Sequence, residues 1–111
     1  MIQAKFKCKD GSFVSMTVQG HALSGEYGHY LVCAAVSTLT FSLVNNLERL
    51  TQVAPIVDLD PEGGYLHCEI PADLDDKQAQ FAEILFKSCY YALKDDVSAS
   101  QPDYLQVSLN K

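Results

Sequence analysis

Strict alternation of apolar and polar residues opens the chain. Ile2, Ala4, Phe6 and Cys8 share one face and Gln3, Lys5 and Lys7 the other, which is the period of a half-buried strand. The pattern returns over 13–19, with Val14, Met16 and Val18 on the apolar side. Asp10 and Gly11 lie between the two, and an Asp-Gly hairpin is the simplest connection. That turn would pair Cys8 with Phe13 and Phe6 with Ser15, putting the second apolar set on the wrong face. The spacing therefore predicts a three-residue loop, Lys9-Asp10-Gly11, with Phe6 opposite Val14, Ala4 opposite Met16 and Gly11 in a left-handed bulge position.

From Tyr30 to about Leu50 the period becomes helical, with Val32, Val36, Leu39, Leu43, Leu47 and Leu50 in one stripe. Ser37, Thr38, Thr40 and Ser42 are mediocre helix formers, so this helix must owe its stability to packing. Residues 56–60 and 65–70 predict a second hairpin, joined by Pro61-Glu62-Gly63-Gly64. Val57 and Leu59 then share a face with Leu66, Cys68 and Ile70, while Tyr65, His67 and Glu69 point outward. Asp73, Asp75 and Asp76 crowd the start of the next helix, where the dipole welcomes negative charge. Its inner stripe is expected at Phe81, Leu85, Cys89 and Ala92, flanked by Ile84 and Leu93. A polar turn from Asp95 to Gln101 leads to a last alternating segment, 104–109.

The order ββαββαβ, with one apolar face per strand and one stripe per helix, predicts an α+β fold. It is a five-stranded, mostly antiparallel sheet with two helices on one face. The 111 residues suit one domain, 1–111. Fourteen acidic residues against eight basic ones give a net charge of −6. That balance disfavours direct contact with nucleic acid and favours a basic partner. The alternating N-terminus is no signal peptide, and no window is read as a membrane span, so a cytoplasmic protein with reduced cysteines is expected.

The stretch Gly20–Ser37, GHALSGEYGHYLVCAAVS, concentrates the candidate chemistry. A histidine at the end of a strand and a cysteine in the first turn of a helix, joined by a glycine-bearing loop, are the parts of a nucleophile and its base. Unpaired amides and the dipole at a helix start favour a thiolate. Cys33 reads as the nucleophile or as a small buried residue. His21 reads as its base or as a solvated loop-edge histidine, with His29 a competitor. Glu26, Tyr27, His29 and Tyr30, set among Gly20, Gly25 and Gly28, have the make-up of a binding loop. Cys8, Cys68 and Cys89 fall on inward faces and read as structural. The spacing of His21, His29 and Cys33 matches no zinc pattern, so neither a metal nor a cofactor is expected.

Gly20-His21-Ala22, then Gly28, then Val32-Cys33-Ala34-Ala35-Val36-Ser37 resembles the signature of the ribosomal-processing cysteine protease family, and the element order fits that family along the chain. The resemblance implies a cysteine endopeptidase that removes a short N-terminal extension from a large-subunit ribosomal protein, cutting after paired phenylalanines. It implies Cys33 as nucleophile, His21 as base, Ser37 as a supporting position, a homodimer, and a loop that orders on substrate. One position departs: Tyr30 stands where the family commonly has an acidic residue. If that carboxylate orients the histidine, this chain has a two-residue site, with Glu26 or the Tyr30 phenol as substitutes. The alternative from another class is a non-catalytic ribosome-assembly factor that holds a basic ribosomal-protein tail.

Overall fold

The computed structural model describes residues 1–20 and 27–111, with side chains in the second stretch from Leu31 onward. The elements are β1 (Ile2–Lys9), β2 (Ser12–Gln19), α1 (Tyr27–Thr51), β3 (Ile56–Leu59), β4 (Tyr65–Glu69), α2 (Asp76–Tyr91) and β5 (Leu105–Asn110). The strands form one sheet in the order β3-β4-β2-β1-β5. Three of its neighbouring pairs are antiparallel, and β5 lies parallel to β1, so the sheet is mixed. A parallel partner for the first strand is possible because α2 carries the chain back over the sheet before β5.

The first hairpin corrects the predicted loop. Lys9 pairs with Ser12 and Cys8 with Phe13, so the turn has two residues, Asp10 (φ 53°) and Gly11 (φ 83°). Positive φ at both is the type I′ geometry that Asp-Gly favours. The conflict of faces is real, but it is resolved farther along. The register shifts between Lys7 and Cys8, leaving Val14 as the extra residue of a bulge, after which Phe6 faces Met16 and Ala4 faces Val18. The second hairpin follows its expectation. Val57 pairs with Cys68 and Leu59 with Leu66, and the Asp60 amide donates to the Tyr65 carbonyl (3.1 Å) across the four residues Pro61–Gly64.

Both helices contribute to one core. Ala4, Phe6, Met16, Cys68 and Leu105 from the sheet meet Val32, Val36, Leu43 and Leu47 of α1 and Ala82, Phe86 and Cys89 of α2. The predicted stripes need adjusting. On α1 the buried line runs through Thr40 and Thr51, and Leu50 is exposed. The threonine hydroxyls donate to the carbonyls of Val36 and Leu47 one turn back, so their burial leaves no polar group unpaired. On α2 the line is Ala82, Phe86, Cys89 and Leu93. Phe81 and Leu85 are half-buried, and Ile84 is 64% exposed. Two neighbouring apolar lines exist on that helix, and the sheet takes the one whose Phe86 ring stacks on Phe13 at 6.3 Å.

Asp75 caps α2 through a reciprocal box with Gln78, as the acidic cluster before the helix anticipates. The expected polar turn at 95–101 is instead largely helical. A π-helical segment, Ala92–Ser98, extends α2 and keeps Leu93 buried and Val97 packed on the core.

Helix α1 also corrects a reading of the sequence. Leu31–Thr51 is long and apolar enough (mean hydropathy 1.3) to cross a membrane by length and composition. Its Val32, Val36, Leu43 and Leu47 are core residues packed in the fold, whereas Leu31, Phe41 and Leu50 are exposed.

Candidate active site

At the end of the sheet where β1 begins and β2 finishes, a cleft of about 290 Å³ opens beside α1. Cys33, Ser37, Thr40 and Phe41 form its helical wall. Ile2, Val18 and Gly20 form its floor, and Leu59, Asp60, Gly63, Gly64 and Tyr65 of the second hairpin form its far wall. Cys33 and Ser37 lie one helical turn apart, so both present to the same side. Cys33 is half-buried and Ser37 exposed.

The helix starts earlier than the sequence implies. Tyr27 is its first residue, so Gly28, His29 and Tyr30 belong to α1, and Cys33 is its seventh residue, in the second turn. The expected first-turn placement is therefore corrected. The unpaired amides of the helix start belong to the turn before Cys33. The glycine at 28 reads as loop punctuation, yet the core contacts of Val32 and Val36 reward a helix that begins ahead of them.

Gly20 ends β2 and lines the cleft together with Cys33. Its φ is +108°, and a Cβ there would meet the Met1 carbonyl oxygen at 2.3 Å. Its amide donates to the Gly64 carbonyl at 3.0 Å. Glycine is thus required both for backbone angle and for space. The next residue, His21, and also Glu26 lie outside the described residues, as does the side chain of Tyr30.

The other three thiols have different surroundings. Burial pushes Cys68 up to about 12 and Cys89 likewise to about 12. Cys8 is raised too, first by burial and then by the nearby Glu83 carboxylate. His67 and Cys68 are consecutive in β4, so their side chains leave opposite faces of the sheet and form no pair. Cys68 is fully buried in the core, whereas the His67 Nδ1 lies 2.7 Å from Thr17 Oγ1 and its Nε2 lies 3.1 Å from Glu69 Oε1. Among the described residues no cluster of His, Cys, Asp or Glu is arranged to hold a metal ion.

Of the residues singled out in the sequence as site candidates, Cys33, Ser37 and Gly20 line this cleft; its other lining residues include Thr40, Phe41, Leu59, Asp60 and the Gly63-Gly64 tip, which the sequence did not single out. The pair of glycines signals a turn but says nothing of where in the sheet that turn sits.

Residues 1–106 match the sequence model of the family described as cysteine protease Prp. The chain belongs to the Prp family of cysteine proteases. The ribosomal processing cysteine protease Prp of Bacillus subtilis is 33% identical over 111 residues, covering 99% of this chain and 98% of that protein. The protein of the same name from Staphylococcus aureus (strain Mu50) is 37% identical over 71 residues, 64% of this chain and 66% of its own.

Among solved structures, SMU.848 from Streptococcus mutans superposes with a TM-score of 0.87 at 33% identity, over 99% of this chain and 94% of that one. The essential S. aureus Prp, solved with a covalently linked product peptide, gives a TM-score of 0.83 at 26% identity, over 99% and 100%. The same S. aureus protein with a substrate peptide also gives 0.83, at 25% identity and the same coverage. The mixed sheet with two helices is therefore the Prp fold.

Proposed function

We propose that this chain is a cysteine endopeptidase that removes the N-terminal extension of a large-subunit ribosomal protein, with Cys33 as nucleophile and His21 as base. One observation carries the assignment of Cys33: this half-buried residue lines a cleft that also includes Gly20, the residue that precedes His21 in the chain. The names of the relatives support the processing role, and the covalently linked product peptide of the S. aureus enzyme supports a covalent route for the family.

His21 takes the Cys33 proton and the sulfur attacks the scissile carbonyl, forming a tetrahedral adduct. Collapse of the adduct expels the amine, which receives the proton from His21, and leaves a thioester. Water, deprotonated by His21, attacks the thioester and restores the thiol. Because Cys33 sits in the second turn of α1, its activation rests on His21 rather than on the amides of the helix start. Ser37, Gly20, Gly28, Tyr30 and Glu26 are the supporting set, with Glu26 or Tyr30 as the partner of the imidazole. No cofactor enters this chemistry. The site is proposed to act in the cytoplasm, in a homodimer. Exposed Leu31, Phe41, Leu50, Ile84 and Tyr91 supply apolar surface for a second copy.

The test is cleavage of the extended ribosomal-protein precursor by the parent and by Cys33→Ala and His21→Ala. Each substitution is expected to lower kcat/KM by about a thousandfold or more. Undiminished cleavage by Cys33→Ala would overturn the assignment. Stoichiometric binding of the precursor by the parent, without cleavage, would favour the assembly-factor reading. Sedimentation of the parent reads the homodimer directly.

A further inference from the structure

One edge of the sheet runs into the cleft. Strand β3 is that edge, and Ile56, Val57 and Leu59 are 54%, 38% and 45% exposed. Its pairing with β4 has no register shift, and within it there is neither lysine nor proline. Short length and Asp58 are its guards against unwanted pairing. The other edge, β5, supplies no wall of the cleft, whereas β3 supplies Leu59 and leads directly to Asp60.

The direction of the unpaired backbone groups follows from one hydrogen bond. The Asp60 amide donates to the Tyr65 carbonyl, so Asp60 and Tyr65 form a hydrogen-bonded pair of the antiparallel ladder. Such pairs alternate, and the next ones are Asp58 with His67 and Ile56 with Glu69. Val57 and Leu59 then hold the intervening positions, and their N–H and C=O groups point away from β4. Their side chains share the face of Leu66 and Cys68, toward α1. An extended chain laid beside β3 would bond to Val57 and Leu59 and rest its own side chains against them. The residue of β3 nearest the Cys33 cleft is Leu59.

Charge specifies the occupant. Residues 56–69 contain Asp58, Asp60, Glu62 and Glu69 and no lysine or arginine. A cationic chain is attracted to such an edge, and an acidic one is repelled.

We propose that β3 is the docking strand for substrate: an extended, basic peptide segment adds to the sheet through the outward backbone groups of Val57 and Leu59, which carries its scissile bond into the cleft of Cys33. This rests on the reading of Cys33 as nucleophile. Backbone pairing supplies affinity, and alternate side chains of the added strand meet Val57 and Leu59 on one face.

A synthetic peptide spanning the cleavage junction of the precursor tests this, with each backbone amide N-methylated in turn. Binding to the Cys33→Ala protein, followed by fluorescence anisotropy, needs no turnover and so separates this inference from the catalytic one. The expected result is a loss of affinity of about three- to tenfold at every second position, the signature of strand pairing. In the active protein, Val57→Pro removes one outward N–H without touching the β4 ladder. It is expected to raise KM by a similar factor with kcat unchanged. Uniform sensitivity along the peptide, or a Val57→Pro protein that is folded and cleaves with the parent KM, would overturn the proposal. Conversion of a dimer to monomer by Val57→Pro with KM unchanged would do the same, assigning the edge to a second copy. If Val57→Pro does not fold, the N-methyl series decides alone.

Discussion

The amide of Gly20 is held 3.0 Å from the carbonyl of Gly64, tying the exit of β2 to the tip of the β3–β4 hairpin. The two residues are far apart in sequence, yet they meet on the floor and wall of one cleft. Through that bond, the hairpin that carries Asp60 and Tyr65 sets where the chain leaves the sheet toward His21.

Gly20→Ala probes this junction. Its Cβ would fall 2.3 Å from the Met1 carbonyl oxygen at a φ of +108°, and neither strain can be relieved without moving backbone. A loss of about 1–3 kcal/mol is expected from the backbone strain alone. Thermal melting reads that loss, and cleavage of the precursor should fall by more than stability explains. A variant that melts and cleaves like the parent would remove Gly20 from the supporting set.

The opposite end of the first hairpin is fastened differently. The Phe13 amide, next to the bulge, donates to Glu83 Oε1 of α2 at 2.8 Å. Glu83→Ala is expected to cost about 1–2 kcal/mol in denaturant unfolding, because a half-buried amide loses its partner. Glu83→Gln keeps a carbonyl acceptor and should recover much of it. Equal losses for the two would show that charge, including the Lys87 contact at 3.8 Å, matters more than the hydrogen bond.

Helix α2 depends on its cap. Asp75 accepts from the Gln78 amide at 2.8 Å, and the Gln78 side chain both accepts from the Asp75 amide and donates to the Thr51 carbonyl at the end of α1 (2.8 Å). Asp75→Ala should cost about 1 kcal/mol. Asp75→Asn, which retains the acceptor, should cost less. Unfolding curves of the pair check the order.

Alkaline pH should weaken the fold through its buried thiols. Burial raises Cys68 and Cys89 from the ordinary value of 9.0 to about 12 each. A folded-state value above the unfolded one means that the unfolded chain releases its proton first. The associated stability is fully present below about pH 9 and is lost as pH rises toward about 12. Melting temperatures of the parent should therefore fall between pH 9 and 11, and Cys68→Val should flatten that fall. Alkylation at pH 8 should spare both thiols in the folded protein and label Cys33. Rapid labelling of Cys68 would contradict its burial.

Much of this architecture is written in local pattern. Alternation at Ile2–Cys8 and 65–70 and the helical period across Val32–Leu47 name their elements because each reports one face turned from water, and the aspartates before α2 name its start because Asp75 caps it. The errors fall where two local solutions compete. The Asp-Gly turn and the bulge at Val14 together return Met16 and Val18 to the face a three-residue loop would give them, but they put Phe13 in the core where that loop would have put Val14. On α2, two apolar lines lie side by side, and only the rings of Phe13 and Phe86 choose between them. On α1, Thr40 and Thr51 look polar until their hydroxyls are seen bonded to the preceding turn.

The candidate site divides in the same way. The sequence by itself determined the fold class, the family signature and the candidate roles of His21 and Cys33, since these rest on residue type and spacing along the chain. Tertiary structure alone decided that β5 runs parallel beside β1, that Cys33 lies in the second turn of α1, and that a distant hairpin closes the cleft with Leu59, Asp60 and Gly64. Strand order is a global packing solution. It depends on which faces and edges the helices leave uncovered, and no short window of residues carries that information.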